Sequence, residues 1–236
     1  MTFVTMSVTQ AMPPVLFEDN HLLIVNKPPG MLVQGDITGD KPLSDIAKQY
    51  IKKKYHKSGE VFMGVTHRID RPVSGIVILA RTSKSLERVN AAFRDKQVKK
   101  TYWAVVKNAP PEEEGHLVHY LHKKQETNTS RAFKHERSDA KRSELIYKVI
   151  GKSKEYYLLE ITPVTGRHHQ IRVQLAAAGC PIKGDLKYGF PRANADRSIH
   201  LHARRLEFPH PVSKETIVVE AAPPEEDILW KTFYTT

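Results

Sequence analysis

A single cysteine, Cys180, in 236 residues leaves no pair for an internal disulfide and excludes any multi-cysteine zinc site, which fits a reducing compartment. No apolar run approaches the ~20 residues that a helix needs to cross a bilayer. Met1 to Met12 also lack the basic region and apolar stretch of a secretory leader. These absences predict a cytoplasmic protein with no membrane partner. No Walker A sequence and no G-x-G-x-x-G fingerprint is present. Acidic residues are in deficit, 26 against 37 Lys and Arg, for a formal net charge of +11. That imbalance predicts a polyanionic partner.

The positive charge is uneven. His122 to Lys154 carries ten Lys/Arg against four Asp/Glu, a local excess of six in 33 residues. A solvated basic surface is the plain alternative. Membrane binding is disfavoured because the stretch lacks the apolar face of an interfacial helix. Hydrophobic residues make up 40% of the chain, enough for a sizeable core. The expected organisation is a single domain over 1–236, with 1–12 as a short tail.

Val15-Leu16-Phe17 and Leu22 to Val25 flank the turn-prone Glu18 to His21 and read as a hairpin, which Lys27-Pro28-Pro29-Gly30 must leave. Leu43, Ile46, Ala47, Tyr50 and Ile51 predict a helix over 43–55 with a basic side. Ile76 to Ala80 reads as a buried strand, followed by a helix capped at Thr82 or Ser83 and running through Phe93. Further strands are expected at 101–106, 145–149, 156–161, 201–208 and 217–219. Helices are expected over 168–178, with Gly179 as its terminator, and near Ile228 to Phe233. Pro110 to Glu114 and Gln125 to Ser130 read as loops. The fold class is α+β, a mixed and mainly antiparallel sheet with flanking helices.

Chemistry concentrates in two places. Asp70 lies between Arg68 and Arg71, six residues before a buried strand, where clefts form; positive surroundings suit an ionised carboxylate acting as nucleophile or base. A surface ion pair with either arginine is the plain alternative. Thr165 to Arg172 then brings a Thr-Gly turn, Arg167, His168 and His169 to a helix start, a place suited to phosphate. Arg172, one helical turn beyond His168, can share its face and act as counter-ion to Asp70; an exposed helix charge is the plain alternative. His200 and His202 could bind a metal, but no cysteine cluster or H-E-x-x-H spacing supports this. His67 to Asp70 differs from a kinase catalytic loop by its extra residue before Asp, and no second marked carboxylate suggests a glycosidase.

His67-Arg68-Ile69-Asp70-Arg71-Pro72-Val73-Ser74-Gly75 resembles the H-R-L-D-x-x-T-S-G signature of the RluA-type RNA pseudouridine synthases. Asn26 to Gly30 is similar to that family's N-K-P-x-G segment, Lys100-Thr101-Tyr102 to K-x-Y, and Thr165 to Arg172 to T-G-R-x-H-Q-I-R. Pro181 to Asp185 with Tyr188-Gly189, and Leu201 to Ala203, extend the resemblance across Val15 to Val219. Ile69 and Val73 depart from it; the second removes a hydroxyl beside the loop. With twelve residues before Pro13, the S4 RNA-binding module often found in this family is not expected here.

The resemblance implies the pseudouridine synthase fold with a central catalytic cleft, and isomerisation of uridine to pseudouridine in a structured rRNA or tRNA stem-loop. It implies no metal and no cofactor, and a monomer is expected. Carried over by position, Asp70 is the nucleophile or base, Arg172 its ion-pair partner, and Tyr102 the ring that stacks on the target uracil. Arg68 fills the space left by the flipped nucleotide or holds its phosphate, and Leu201 packs on the base edge. Lys27, Arg167 and His168 join the substrate-binding set. The competing readings are a catalytically silent RNA-binding or folding factor with the same cleft, and an enzyme of small nucleosides.

Overall fold

The structure is a computed structural model and describes residues 11–234. The expected tail, 1–12, lies outside these residues except for Ala11 and Met12. Val15–Glu18 (β1) and Leu22–Lys27 (β2) form the expected hairpin. Its turn is fastened by the Asp19 carboxylate, which accepts the N–H groups of His21 and Leu22 at 2.8 and 2.7 Å. Leu43–Lys54 (α1) buries Leu43, Ile46, Ala47 and Ile51 and ends on Lys52, Lys53 and Lys54, where cations favour the helix dipole. Gly64–Val65 (β3) pairs with Ser74–Ala80 (β4), which is buried at every residue as a continuous apolar run requires. Ser83–Arg94 (α2) starts at Thr82, whose hydroxyl accepts the Ser85 N–H at 3.1 Å.

The chain continues through Lys99–Val106 (β5), Glu114–Lys124 (β6), Thr129–Phe133 (β7), Lys141–Lys152 (β8) and Tyr157–Pro163 (β9). Gln170–Ala177 (α3) and a 3-10 turn at Leu186–Tyr188 follow, then Leu201–Pro209 (β10), Thr216–Glu220 (β11) and Ile228–Tyr234 (α4). Among the described residues, eleven strands form one sheet in the order β1-β2-β4-β10-β5-β9-β8-β6-β7, with β3 also on β4 and β11 on β10. Every pairing in it is antiparallel except β4 with β10. The fold is α+β, with a mixed, mainly antiparallel sheet and flanking helices.

Two expected loops need correction. Glu114 opens β6, and Thr129 and Ser130 begin β7, so only 125–128 turns between those strands. β6 escaped notice because its inward positions include His119, which is buried, so polar residues interrupt the alternation that marks a strand. The helix expected over 168–178 is shorter, because His168 and His169 precede it and His169 is left-handed at φ 52°. It ends as expected on Gly179, also with positive φ.

Strand alternation divides the core. Leu23, Val25, Val77 and Leu79 face α1 and the α3 residues Ile171 and Leu175. Their neighbours Leu22, Ile24, Ile76 and Ile78 face Val89 of α2 and Val219 of β11. The β4–β10 crossing is close: a Cβ on Gly75 would stand 2.4 Å from the Ala203 carbonyl oxygen, and Gly75 has φ +117°. Beside it Ser74 Oγ and His202 Nδ1 are 2.8 Å apart. This junction fixes where the loop before β4 emerges.

Candidate active site cleft

Asp70 lies in that loop, and its carbonyl accepts the Val73 N–H at 3.0 Å to close a turn. The loop is laced to 28–31. Gly30 N–H donates to the Arg71 carbonyl at 2.8 Å, and Arg71 Nε returns a bond to the Gly30 carbonyl at 2.9 Å. Arg71 is thereby drawn away from Asp70, and its guanidinium pairs with Asp40 at 2.6 Å. Arg68 therefore borders the pocket that Asp70 shares with Tyr102, whereas Arg71 borders only the wider opening beside it.

The expected substrate contact of Lys27 is also corrected. Its side chain is fully buried, and Nζ donates to the carbonyls of Pro28 and Met31 at 2.9 Å and of Arg71 at 3.3 Å. An ammonium has three donors, and all three are engaged in tying the loops together. Burial pushes this group down to about 7, against the attraction of Asp70.

The charge beside Asp70 comes instead from α3. Arg172 is 5% exposed, and its Nη1 donates to Asp70 Oδ2 at 2.8 Å. Its Nε and Nη2 grip Asp185 at 2.7 and 2.8 Å, and the Tyr188 ring lies 5.1 Å from the guanidinium carbon. Burial opposes the charge on Arg172, but the two carboxylates outweigh it and hold the guanidinium above its ordinary value. The expected sharing of a helix face with His168 fails, since His168 is outside the helix. Its Nδ1 and carbonyl lie 2.9 and 2.8 Å from Ser130 Oγ.

The cleft holds about 300 Å³ and brings together His67, Arg68, Asp70, Lys100, Tyr102, Arg167 and Leu201. Tyr102 and Lys100 come from β5, and Leu201 from the start of β10. Burial, aided by Asp70, raises the Tyr102 phenol to about 12, so it stays protonated. A second lobe of about 710 Å³ also reaches Asp70 and is lined by His168, Lys123 and Lys187. Arg68 and Arg167 border both lobes. The backbone N–H of Arg167 is already committed to Gln170 Oε1 at 2.9 Å, so its guanidinium, not its amide, faces a ligand.

Three residues of this constellation had no assigned role in the sequence: Asp185, Tyr188 and His169. A buried guanidinium with five donors needs more than one carboxylate, but nothing in the sequence tells that Arg172 is buried. His67 Nε2 accepts the Ile78 N–H at 3.0 Å, and burial pushes its imidazolium down to about 4. His200 stands between Asn194 and Asp227, and His202 between Ser74 and the Ala221 carbonyl, so all four ring nitrogens have protein partners. They serve as hydrogen-bonded struts.

Residues 21–177 match the family model described as RNA pseudouridylate synthase. The chain belongs to this family. Among its relatives, the ribosomal large subunit pseudouridine synthase C of Vibrio vulnificus is 34% identical over 217 residues, covering 88% of this chain and 64% of its own length. The tRNA pseudouridine synthase C of Vibrio parahaemolyticus is 30% identical over 239 residues, covering 94% and 93%. A relative from Xenopus tropicalis, the pseudouridylate synthase RPUSD4, is named mitochondrial and is 30% identical over 89% of this chain and 76% of its own. The chain thus spans just under two thirds of the Vibrio vulnificus enzyme. The solved structure of human RNA pseudouridylate synthase domain containing 4 superposes with a TM-score of 0.78 at 24% identity, covering 93% of this chain and 92% of that one. That likeness shows the pseudouridine synthase fold. Among the described residues no helix is long and apolar enough to cross a membrane.

Proposed function

We propose that this protein is an RNA pseudouridine synthase that isomerises uridine in a structured stem-loop of rRNA or tRNA. The observation that carries the reading is Asp70: one part-exposed carboxylate, ion-paired to the buried Arg172, in a cleft shared with Tyr102 and Leu201. Isomerisation breaks the C1′–N1 bond, turns the uracil and rejoins it through C5. The base leaves as a delocalised anion and is recaptured in place. Neither an activated water nor a metal or nucleotide cofactor is required, and a single carboxylate suffices.

In this reading Asp70 acts on the everted uridine as nucleophile or base, and Arg172 positions it. Tyr102 stacks on the uracil, and Leu201 packs on its edge. Arg68 and Arg167, at the border of both lobes, take the flanking phosphates or the space the base vacates. Extruding the base costs a few kcal/mol, least in a loop, and phosphate contacts from the basic surface offset it. We assign the chain to one catalytic domain, acting as a monomer in the cytoplasm.

Replacing Asp70 by Asn tests the reading. Tritium release from [5-³H]uridine RNA should vanish while RNA affinity is kept, because the reacting charge goes and the phosphate contacts stay. Turnover near wild type in Asp70→Asn would overturn the assignment. Wild-type protein that binds RNA but releases no tritium would favour a silent binding factor, and activity on free uridine alone a nucleoside enzyme.

A further inference from the structure

Both groups that approach Asp70 come to the same oxygen. Arg172 Nη1 is 2.8 Å from Oδ2, and His169 Nε2 is 3.4 Å from that atom. Among the described residues, Oδ1 receives no hydrogen bond. The other face of His169 is tied as well: its Nδ1 is 2.8 Å from the Tyr188 hydroxyl. That hydroxyl already accepts the backbone N–H of Ser130 at 2.8 Å. Its own proton therefore has one well-placed acceptor, the lone pair on His169 Nδ1.

We propose that His169 is a positioning residue for Asp70: Tyr188 holds its imidazole with the proton on Nε2, and that N–H, with Arg172, engages Oδ2 so that Oδ1 is the oxygen presented to the nucleoside. The inference rests on the function proposed above for the same cleft. Three observations support it besides the distances. The His169 backbone is at φ 52°, a conformation that costs a non-glycine residue free energy and aims the ring into the site. His168 stacks on it at 3.7 Å between ring centroids, fixing its plane. Burial pushes the His169 imidazolium down to about 3 despite Asp70, with Arg172, His168 and Lys187 adding to the depression. The ring is neutral, so its approach to Asp70 is that of a polar donor rather than an ion pair. At 3.4 Å the contact is longer than a formed hydrogen bond, so engagement of Oδ2 requires it to shorten when a nucleoside binds.

The arrangement also ties the basic lobe to the carboxylate, since Ser130 lies on β7 and also bonds His168. Two measurements test it. Long-range ¹H–¹⁵N correlation on the wild-type protein, with the ring assigned from its loss in His169→Asn, should show Nε2 protonated and Nδ1 bare. A ring protonated on Nδ1, or on both nitrogens, at neutral pH overturns the proposal. Tyr188→Phe frees the ring to turn its lone pair toward Asp70. It should lower kcat roughly tenfold to a hundredfold with KM and RNA affinity unchanged. Full kcat in Tyr188→Phe, or a loss confined to KM, also overturns it. Wild-type protein inactive on every RNA would sink the function instead, and the tautomer would still be read from the spectrum.

Discussion

Arg172 binds two carboxylates at once, and the residue that pays for its burial is Asp185, itself 1% exposed. Replacing Asp185 by Ala leaves a guanidinium in the interior with half its partners gone. We expect a loss of roughly 3–5 kcal/mol in urea unfolding, together with lower turnover, because Arg172 then lacks its anchor. A change under about 1 kcal/mol would show that water replaces the carboxylate. Gly75→Ala should cost about 3 kcal/mol or more on the same measurement, since the new methyl would stand 2.4 Å from the Ala203 carbonyl oxygen. Asp70, Tyr102 and Leu201 were legible as cleft residues because each sits in a distinctive short motif. Lys27 is placed in the substrate-binding set by its motif alone, and only the folded loops reveal the three carbonyls around its ammonium.

The unbroken apolar run of β4 and the apolar positions of β10 make those strands legible within a residue or two, and the apolar stripe does the same for α1. The β6–β7 hairpin was not, although it carries much of the basic surface. Its strands interleave histidines, lysines and arginines with few apolar residues, so composition marked the charge and concealed the sheet. In the connection after the hairpin Arg137 is committed to Asp139, whereas Lys134 there and Lys123 and Lys124 on β6 are exposed and make no ion pair with any described residue. Converting these three to Ala should weaken RNA binding evenly across sequences. The slope of log affinity against log salt should flatten by roughly one for each phosphate no longer engaged, while kcat on saturating RNA holds. An unchanged salt slope would return the hairpin to an ordinary solvated surface.

For the molecule as a whole, the buried His202 and the half-buried His67 and His169 make stability sensitive to acid. Burial holds His67 and His202 down to about 4 and His169 to about 3. The unfolded chain takes up these protons near pH 6.5, so it binds more protons than the native state below that point, and stability falls as pH drops from about 6.5 toward 4. Each histidine contributes at most about 1.4 kcal/mol per pH unit in that window. Thermal melts should show a falling Tm from pH 7.5 to pH 5, and a flat profile would mean the rings take protons without unfolding. The order of strands carries one more consequence. β10 sits between β4 and β5 yet leaves the ribosome about a hundred residues after them, so the nascent chain holds two sheet fragments with bare edges until 201–209 emerges. Synthesis halted near residue 200 should thus yield an aggregation-prone product that a chaperone must shelter, and completion of one late strand closes both edges at once.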